Sequence, residues 1–202
     1  MNHEDDGTQA VKIANPKSLE FQVVRTSLIP GLLKTIRENR SHALPIKIFE
    51  TSDVVFKDTR KERQARNERH AAAIWCNKTA GFEIVHGVLD RAMKMLEIPR
   101  VTTPDIKAGT GYYLKETSGM VFYPFYHQFN NSNCCSDPMY FPERAARIIY
   151  RLPGPDNQCP IYEIEIGRIG VLHPTVLEKF EVGYPCSALE FNLEPFGKDS
   201  LK

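Results

Sequence analysis

Ile29, Leu32, Leu33 and Ile36 recur three and four residues apart, which places them along one side of a helix. Thr26 or Ser27 suits the N-cap, and Pro30 falls in the first turn, where its missing N–H costs little. Lys34, Arg37 and Arg40 face away from the stripe or lie near the C-terminal end, where positive charge suits the helix dipole. The pattern then changes. Ile46, Ile48, Val54, Val55 and Phe56 make β-rich sequence, and His70 to Cys76 reads as a return strand. Between them Lys57 to His70 reads as a charged loop with six Lys or Arg and three Asp or Glu.

Gly81 to Leu96 is the clearest helix, with Phe82, Val85, Val88, Leu89, Ala92, Met93 and Leu96 on one face. Val11 to Ala14 and Gly111 to Thr117 read as short strands, and Ala145 to Leu152 as a further strand. Tyr123 to Tyr140 reads as a long loop or insertion. Ile161 to Leu172 alternates Ile with Glu or Arg, with Gly167 and Gly170 marking a turn or a bulge. A short helix follows over Thr175 to Phe180. The last strand puts Leu189, Phe191 and Leu193 on one face and Glu190, Asn192 and Glu194 on the other. With no βαβ alternation and no repeat, the elements predict an α+β fold with an antiparallel sheet backed by helices.

Composition excludes more than it selects. The 202 residues are 42% hydrophobic and 25% charged, with net charge +1, so nucleic acid would be held by a local patch only. No apolar run approaches the ~20 residues of a membrane span. Residues 1–10, MNHEDDGTQA, are acidic and polar, unlike a signal or transit peptide. They read as a disordered tail or the start of a truncated chain, with a single module over 11–202. Five cysteines (Cys76, Cys134, Cys135, Cys159 and Cys186), without a CxxC pair, argue against a disulfide framework and a zinc site and fit a reducing, cytoplasmic setting. Asn77-Lys78-Thr79 and Asn130-Asn131-Ser132 match the glycosylation pattern but carry little weight here.

Five segments, in order, resemble one family. They are NPKSLEFQVVRTSLIPGLLKTIRENR, IFETSDVV, GFEIVHGVLDRAMKMLEI, FPERAARI and IGRIGVLHPTVLEKFEVGYPCSALEFNLEPF. Together they resemble the catalytic-like C-terminal module of the phenylalanyl-tRNA synthetase beta subunit, cytosolic eukaryotic type. The resemblance implies a class II synthetase-like antiparallel sheet flanked by helices. It implies a module that supports an alpha subunit in an (αβ)2 assembly charging tRNA(Phe). The holoenzyme would use ATP and Mg2+. Glu143 stands where the family usually has glycine, and Tyr123 to Tyr140 looks like an insertion. If that glycine has positive φ, the glutamate is strained.

In class II synthetases an arginine on the first strand of the motif-two hairpin and another after the last strand neutralise the phosphates of ATP. Ile48-Phe49-Glu50 occupies the first position here, and no arginine follows Ala188 to Glu194. The expectation is therefore no catalytic, cofactor-binding or metal residue in this chain. Arg60, Lys61, Arg63 and Arg66 are candidates for contact with tRNA or a partner, or a solvated hairpin tip. The alternative function is a stand-alone RNA-binding module using that loop. Arg25 and Glu50 are candidates for a buried structural ion pair, and His173 for a turn histidine bonded to backbone. A Cys186–His173 nucleophile pair is the weaker reading, since no oxyanion turn accompanies it. Met93-Lys94-Met95 reads as helix packing, and Tyr123, Phe125, Tyr126 and Phe129 as anchors of the long loop.

Overall fold

The computed structural model describes residues 7–101, 110–116, 138–152 and 162–197. Most of the loop at Tyr123 to Tyr140, its aromatic residues, Cys134, Cys135, Cys159 and the Asn130 sequon lie outside the described residues.

Among the described residues, six strands form one antiparallel sheet in the order β1-β2-β6-β5-β4-β3. Their ranges are β1 Ile46–Lys57, β2 Ala65–Cys76, β3 Gly111–Glu116, β4 Tyr140–Leu152, β5 Tyr162–Leu172 and β6 Cys186–Asn192. Three helices, α1 Ile29–Glu38, α2 Phe82–Met95 and α3 Pro174–Lys179, pack on the sheet. Side chains alternate across a strand, so each strand supplies two cores. Ala72, Ile74, Cys186 and Ala188 face α1 and α3. Leu189, Phe191, Ile169 and Ile148 face α2.

The apolar stripe of α1 is buried as predicted, through Ile29, Leu32, Leu33 and Ile36. Burying four such side chains contributes about 1.5–3 kcal/mol each before the chain entropy is subtracted. On α2 the buried face is narrower than the periodicity implies. Val85, Leu89 and Met93 are buried, whereas Val88 and Leu96 stay exposed, because the helix meets the sheet along a single line.

Several boundaries move. The charged stretch is not all loop: β2 begins at Ala65, so Arg66 and Arg69 sit on a strand, opposite Phe56 and Asp53. The 12-residue ladder holds them there even though the stretch lacks apolar alternation. β4 begins at Tyr140 rather than Ala145. Four of its residues, 141–144, oppose one residue of β5, and Glu143 takes φ 61° in this bulge. The feared strain at Glu143 is therefore present. A second irregularity, between Ile148 and Ile149 of β4, leaves Ile166 of β5 without a cross-strand partner. Gly167 follows it because a Cβ there would lie 2.2 Å from the Glu190 carbonyl oxygen. The glycines thus mark a bulge and a close strand approach, not a turn.

The segment read as a tail also shifts. Residues 1–6 lie outside the described part, but Gly7 to Ala10 run along β1. Gln9 accepts from the Lys57 N–H at 2.9 Å, and Ala10 is buried against Phe56. The edge of β1 needs partners for its N–H groups, and this segment supplies one. Lys12 and Val23 form a further bridge, so the Val11 to Ala14 strand is one isolated pairing.

Candidate functional site

Alternation sends neighbouring residues of β1 to opposite faces. Phe49 points to the α2 face, near the uncovered edge of the sheet, and is 83% exposed. Glu50 points to the α1 face. Arg25 donates to Glu50 Oε1 at 2.8 Å, to Ser52 Oγ at 2.5 Å and to the Asp53 carbonyl at 3.1 Å. The expected Arg25–Glu50 pair is formed, but its side chains are 44% and 30% exposed, so it is not buried. β1 is an edge strand, and water reaches the pair from that side.

The one arginine on the Phe49 face of β2 is Arg69. Its guanidinium bonds to Asp53 across the hairpin, which raises its already high pKa. Its backbone is fixed too: the N–H donates to Glu194 Oε1 at 2.8 Å, and the carbonyl accepts from Leu193 N at 2.8 Å. A carboxylate, Glu194, thus closes the end of β6. Lys47 stacks on Trp75, 4.9 Å from the ring centroid.

At the hairpin tip the chain turns around Asp58, which is buried despite its charge. Arg60 N–H donates to Asp58 Oδ1 at 3.1 Å. This bond, with the Arg60 and Arg66 guanidiniums, holds the carboxyl below the usual range against its burial. Of the four candidate contact residues, Arg60 and Arg66 therefore have carboxylates beside them. Arg66 also bonds Glu68 at 2.6 Å and lies over the Phe56 ring. Lys61 and Arg63 make no ion pair among the described residues.

Sequence periodicity missed the polar cluster that joins the hairpin to the helix. Glu190 falls on the polar face of β6, but that face is covered by the start of α1. Its Oε1 accepts from Leu28 N and from His70 Nδ1, both at 3.0 Å, and its Oε2 accepts from Ser27 Oγ at 2.5 Å. Ser27 in turn accepts from Ile29 N at 3.2 Å. Leu28 holds the N-cap position, so Ser27 acts one residue upstream, with Glu190 supplying the second acceptor for the helix start. His70 lies between two carboxylates, Glu190 and Glu68, whose Oε2 is 3.5 Å from Nε2. Burial alone pushes the His70 pKa down. The hydrogen bond and charge of Glu190, then of Glu68, outweigh that, and the pKa is raised.

His173 is the N-cap of α3. Its Nδ1 accepts from Thr175 N at 3.2 Å, and Phe141 stacks on its ring. No hydrogen bond joins it to Cys186. That thiol is buried directly opposite Cys76, and contact with Cys76 and burial both push its pKa up, the reverse of what a nucleophile needs. Among the described residues no cluster of three or more His, Cys, Asp or Glu has the arrangement of a metal site. No helix among them is long and apolar enough to cross a membrane.

A family model described as the phenylalanyl tRNA synthetase beta chain CLM domain matches residues 1–193. The phenylalanine–tRNA ligase beta subunit of Drosophila melanogaster is 49% identical over 97% of this chain and 28% of its own length. That of Schizosaccharomyces pombe is 46% identical over 93% and 28%, and the human subunit 44% over 94% and 26%. The chain thus spans little more than a quarter of these relatives. Among solved structures, a pyrrolysyl tRNA synthetase from Desulfitobacterium hafniense superimposes with TM-score 0.55. The match covers 94% of this chain and 51% of that one at 17% identity, a likeness of fold.

Proposed function

Because the chain belongs to the phenylalanyl-tRNA synthetase beta chain family, we propose that it is a non-catalytic module of phenylalanine–tRNA ligase. It supports an alpha subunit that charges tRNA(Phe) with phenylalanine. It corresponds to the catalytic-like C-terminal module of the beta subunit, with a class II synthetase-like sheet, and works in a cytoplasmic (αβ)2 assembly. ATP and Mg2+ belong to the alpha subunit's chemistry.

One observation carries the silent reading. Activation of an amino acid builds negative charge on the α-phosphate, and fixed cations must meet it. Where the hairpin would present a guanidinium, it presents an exposed phenyl ring at Phe49 and a carboxylate at Glu50 already bound to Arg25. Arg69, on the same face, is neutralised by Asp53, and Glu194 stands at the end of β6. The residues present do not fit a nucleoside triphosphate at the hairpin. Losing one fixed charge in such a site costs on the order of 100-fold in rate, and here both positions lack it.

The test has two arms. The pure chain is assayed for ATP–pyrophosphate exchange with phenylalanine, and no turnover is expected. The chain, and a beta subunit of full family length as a control, are then mixed with the matching alpha subunit. Co-elution and aminoacylation by the mixture support the proposal. Exchange by the chain alone, or failure of the full-length control to bind, overturns it.

A further inference from the structure

Two of the five cysteines, far apart in sequence, meet at one point of the sheet. Cys76 is the last residue of β2, Cys186 is the first of β6, and the register sets them directly opposite. The kind of opposition matters. In this ladder Leu193 N donates to the Arg69 carbonyl at 2.8 Å, and Asn77 N to the Pro185 carbonyl at 3.2 Å. Antiparallel pairs alternate between hydrogen-bonded and non-hydrogen-bonded. The odd-numbered residues of β2 therefore carry the bonds to β6, and Cys76 faces Cys186 in a non-hydrogen-bonded pair. Such pairs have Cα atoms about 4.5 Å apart and bring their side chains closest. That separation lies inside the range a disulfide spans, at its short end. Both thiols are free and buried, in the core beneath α1 and α3.

We propose that Cys76 and Cys186 form a reversible redox lock, closed as a disulfide by hydrogen peroxide and opened again by a thiol. The pair stands where the two strands end, and one further bond, from Asn77 N to Pro185, closes the ladder beyond it. Strand ends open locally at little cost, which admits a small oxidant to buried sulfurs and excludes bulky ones. Cys76 ionises first, because a hydrogen bond from the Cys186 thiol holds its pKa down against burial. Its thiolate attacks a peroxide oxygen and the O–O bond breaks. The departing hydroxide takes up the Cys76 proton as water, and a sulfenic acid remains. The Cys186 sulfur then attacks the sulfenic sulfur. The S–S bond forms, the S–O bond breaks, and hydroxide leaves with the Cys186 proton as a second water. The two thiols are oxidised by two electrons and the peroxide is reduced to water.

A disulfide at the short end of the Cα range is readily reduced, which suits a switch more than a permanent staple. Closed, it ties the segment that leads into α2 to the segment that leaves α3, and encloses residues 76–186. A cross-link that closes a long loop restricts the unfolded chain most, so the oxidised form is the more stable one.

The test uses the unaltered 202-residue chain and a variant carrying C134S/C135S/C159S, which removes the other three thiols. Each is reduced, folded and treated with hydrogen peroxide. Remaining thiols are blocked with N-ethylmaleimide in denaturant, and the peptides are read by mass spectrometry. In both chains the Cys76 peptide should be linked to the Cys186 peptide, and dithiothreitol should free them. The oxidised form should melt several degrees higher than the reduced form. Adding C76S or C186S to the variant should abolish the linkage and the rise. The peptide mapping needs neither serine, so the test stands where one of them fails to fold. Thiols still free after peroxide treatment of the folded chain, linkage formed only in denaturant, or linkage without a rise in melting temperature overturns the proposal.

Discussion

In the β1–β2 hairpin the strand-borne arginines, and the one that reaches the hairpin from outside, meet carboxylates. Arg25 meets Glu50, Arg66 meets Glu68 and Asp58, and Arg69 meets Asp53. In the β4–β5 pair, Arg147 and Arg168 oppose each other and share Glu165. By sequence the first hairpin is the basic one, with a local excess of three positive charges. Register decides which charges meet. Charges two residues apart on one strand, or opposite across a hairpin, cancel on a face, whereas charges far apart in sequence are brought side by side.

The largest expected effect separates the two carboxylates that serve these regions. Glu190→Ala removes the acceptor of Leu28, Ser27 and His70 at once, and should cost about 3 kcal/mol in urea unfolding. Glu165→Ala, at a one-third exposed site, should cost less than about 1 kcal/mol. Similar losses for the two would break the contrast between them.

Glu143→Gly comes next. It relieves the positive φ in the bulge of β4 and should stabilise the fold by about 1 kcal/mol. Thermal melting that moves down instead would show that the Glu143 side chain is needed there.

The His70 titration sharpens the comparison from the other side. Its pKa is raised on folding, so its contribution is full below the ordinary imidazole value of about 6.5. The contribution is lost as pH rises through the folded pKa. Stability should therefore decline above about pH 6.5, and His70→Gln should flatten that slope. A slope unchanged in the variant assigns the decline to another group.

The smallest effect belongs to the hairpin tip. Replacing Arg60, Lys61 and Arg63 together by Gln should lower the melting temperature only slightly, because the Arg60 side chain that pairs with Asp58 is exposed and the other two make no ion pair among the described residues. If RNA affinity also stays unchanged, the tip is solvated surface. A large, salt-dependent loss would instead restore the loop as an RNA contact.

What was legible followed local periodicity. The stripe of α1, the presence of α2 and the alternation in β6 all come from residues within a few positions of one another. Glu143 was legible through the family resemblance and a rule about φ. The cap on α1 was only half visible, because Ser27 announces itself as a capping residue while Glu190 lies 163 positions away. Glu190 sits on the polar side of its strand and carries no mark that this side is covered. Arg147 and Arg168 belong to segments whose patterns say strand and nothing about which residues will be opposed.

The order of residues alone decided which segments bury an apolar face and where helices can begin. These are properties of single side chains and of a fixed repeat per residue. Only the folded sheet decided which charges lie opposite one another. Coulombic and hydrogen-bond energies depend on separation and on exclusion of water, and both are set by strand register and by the helix laid across one half of a face.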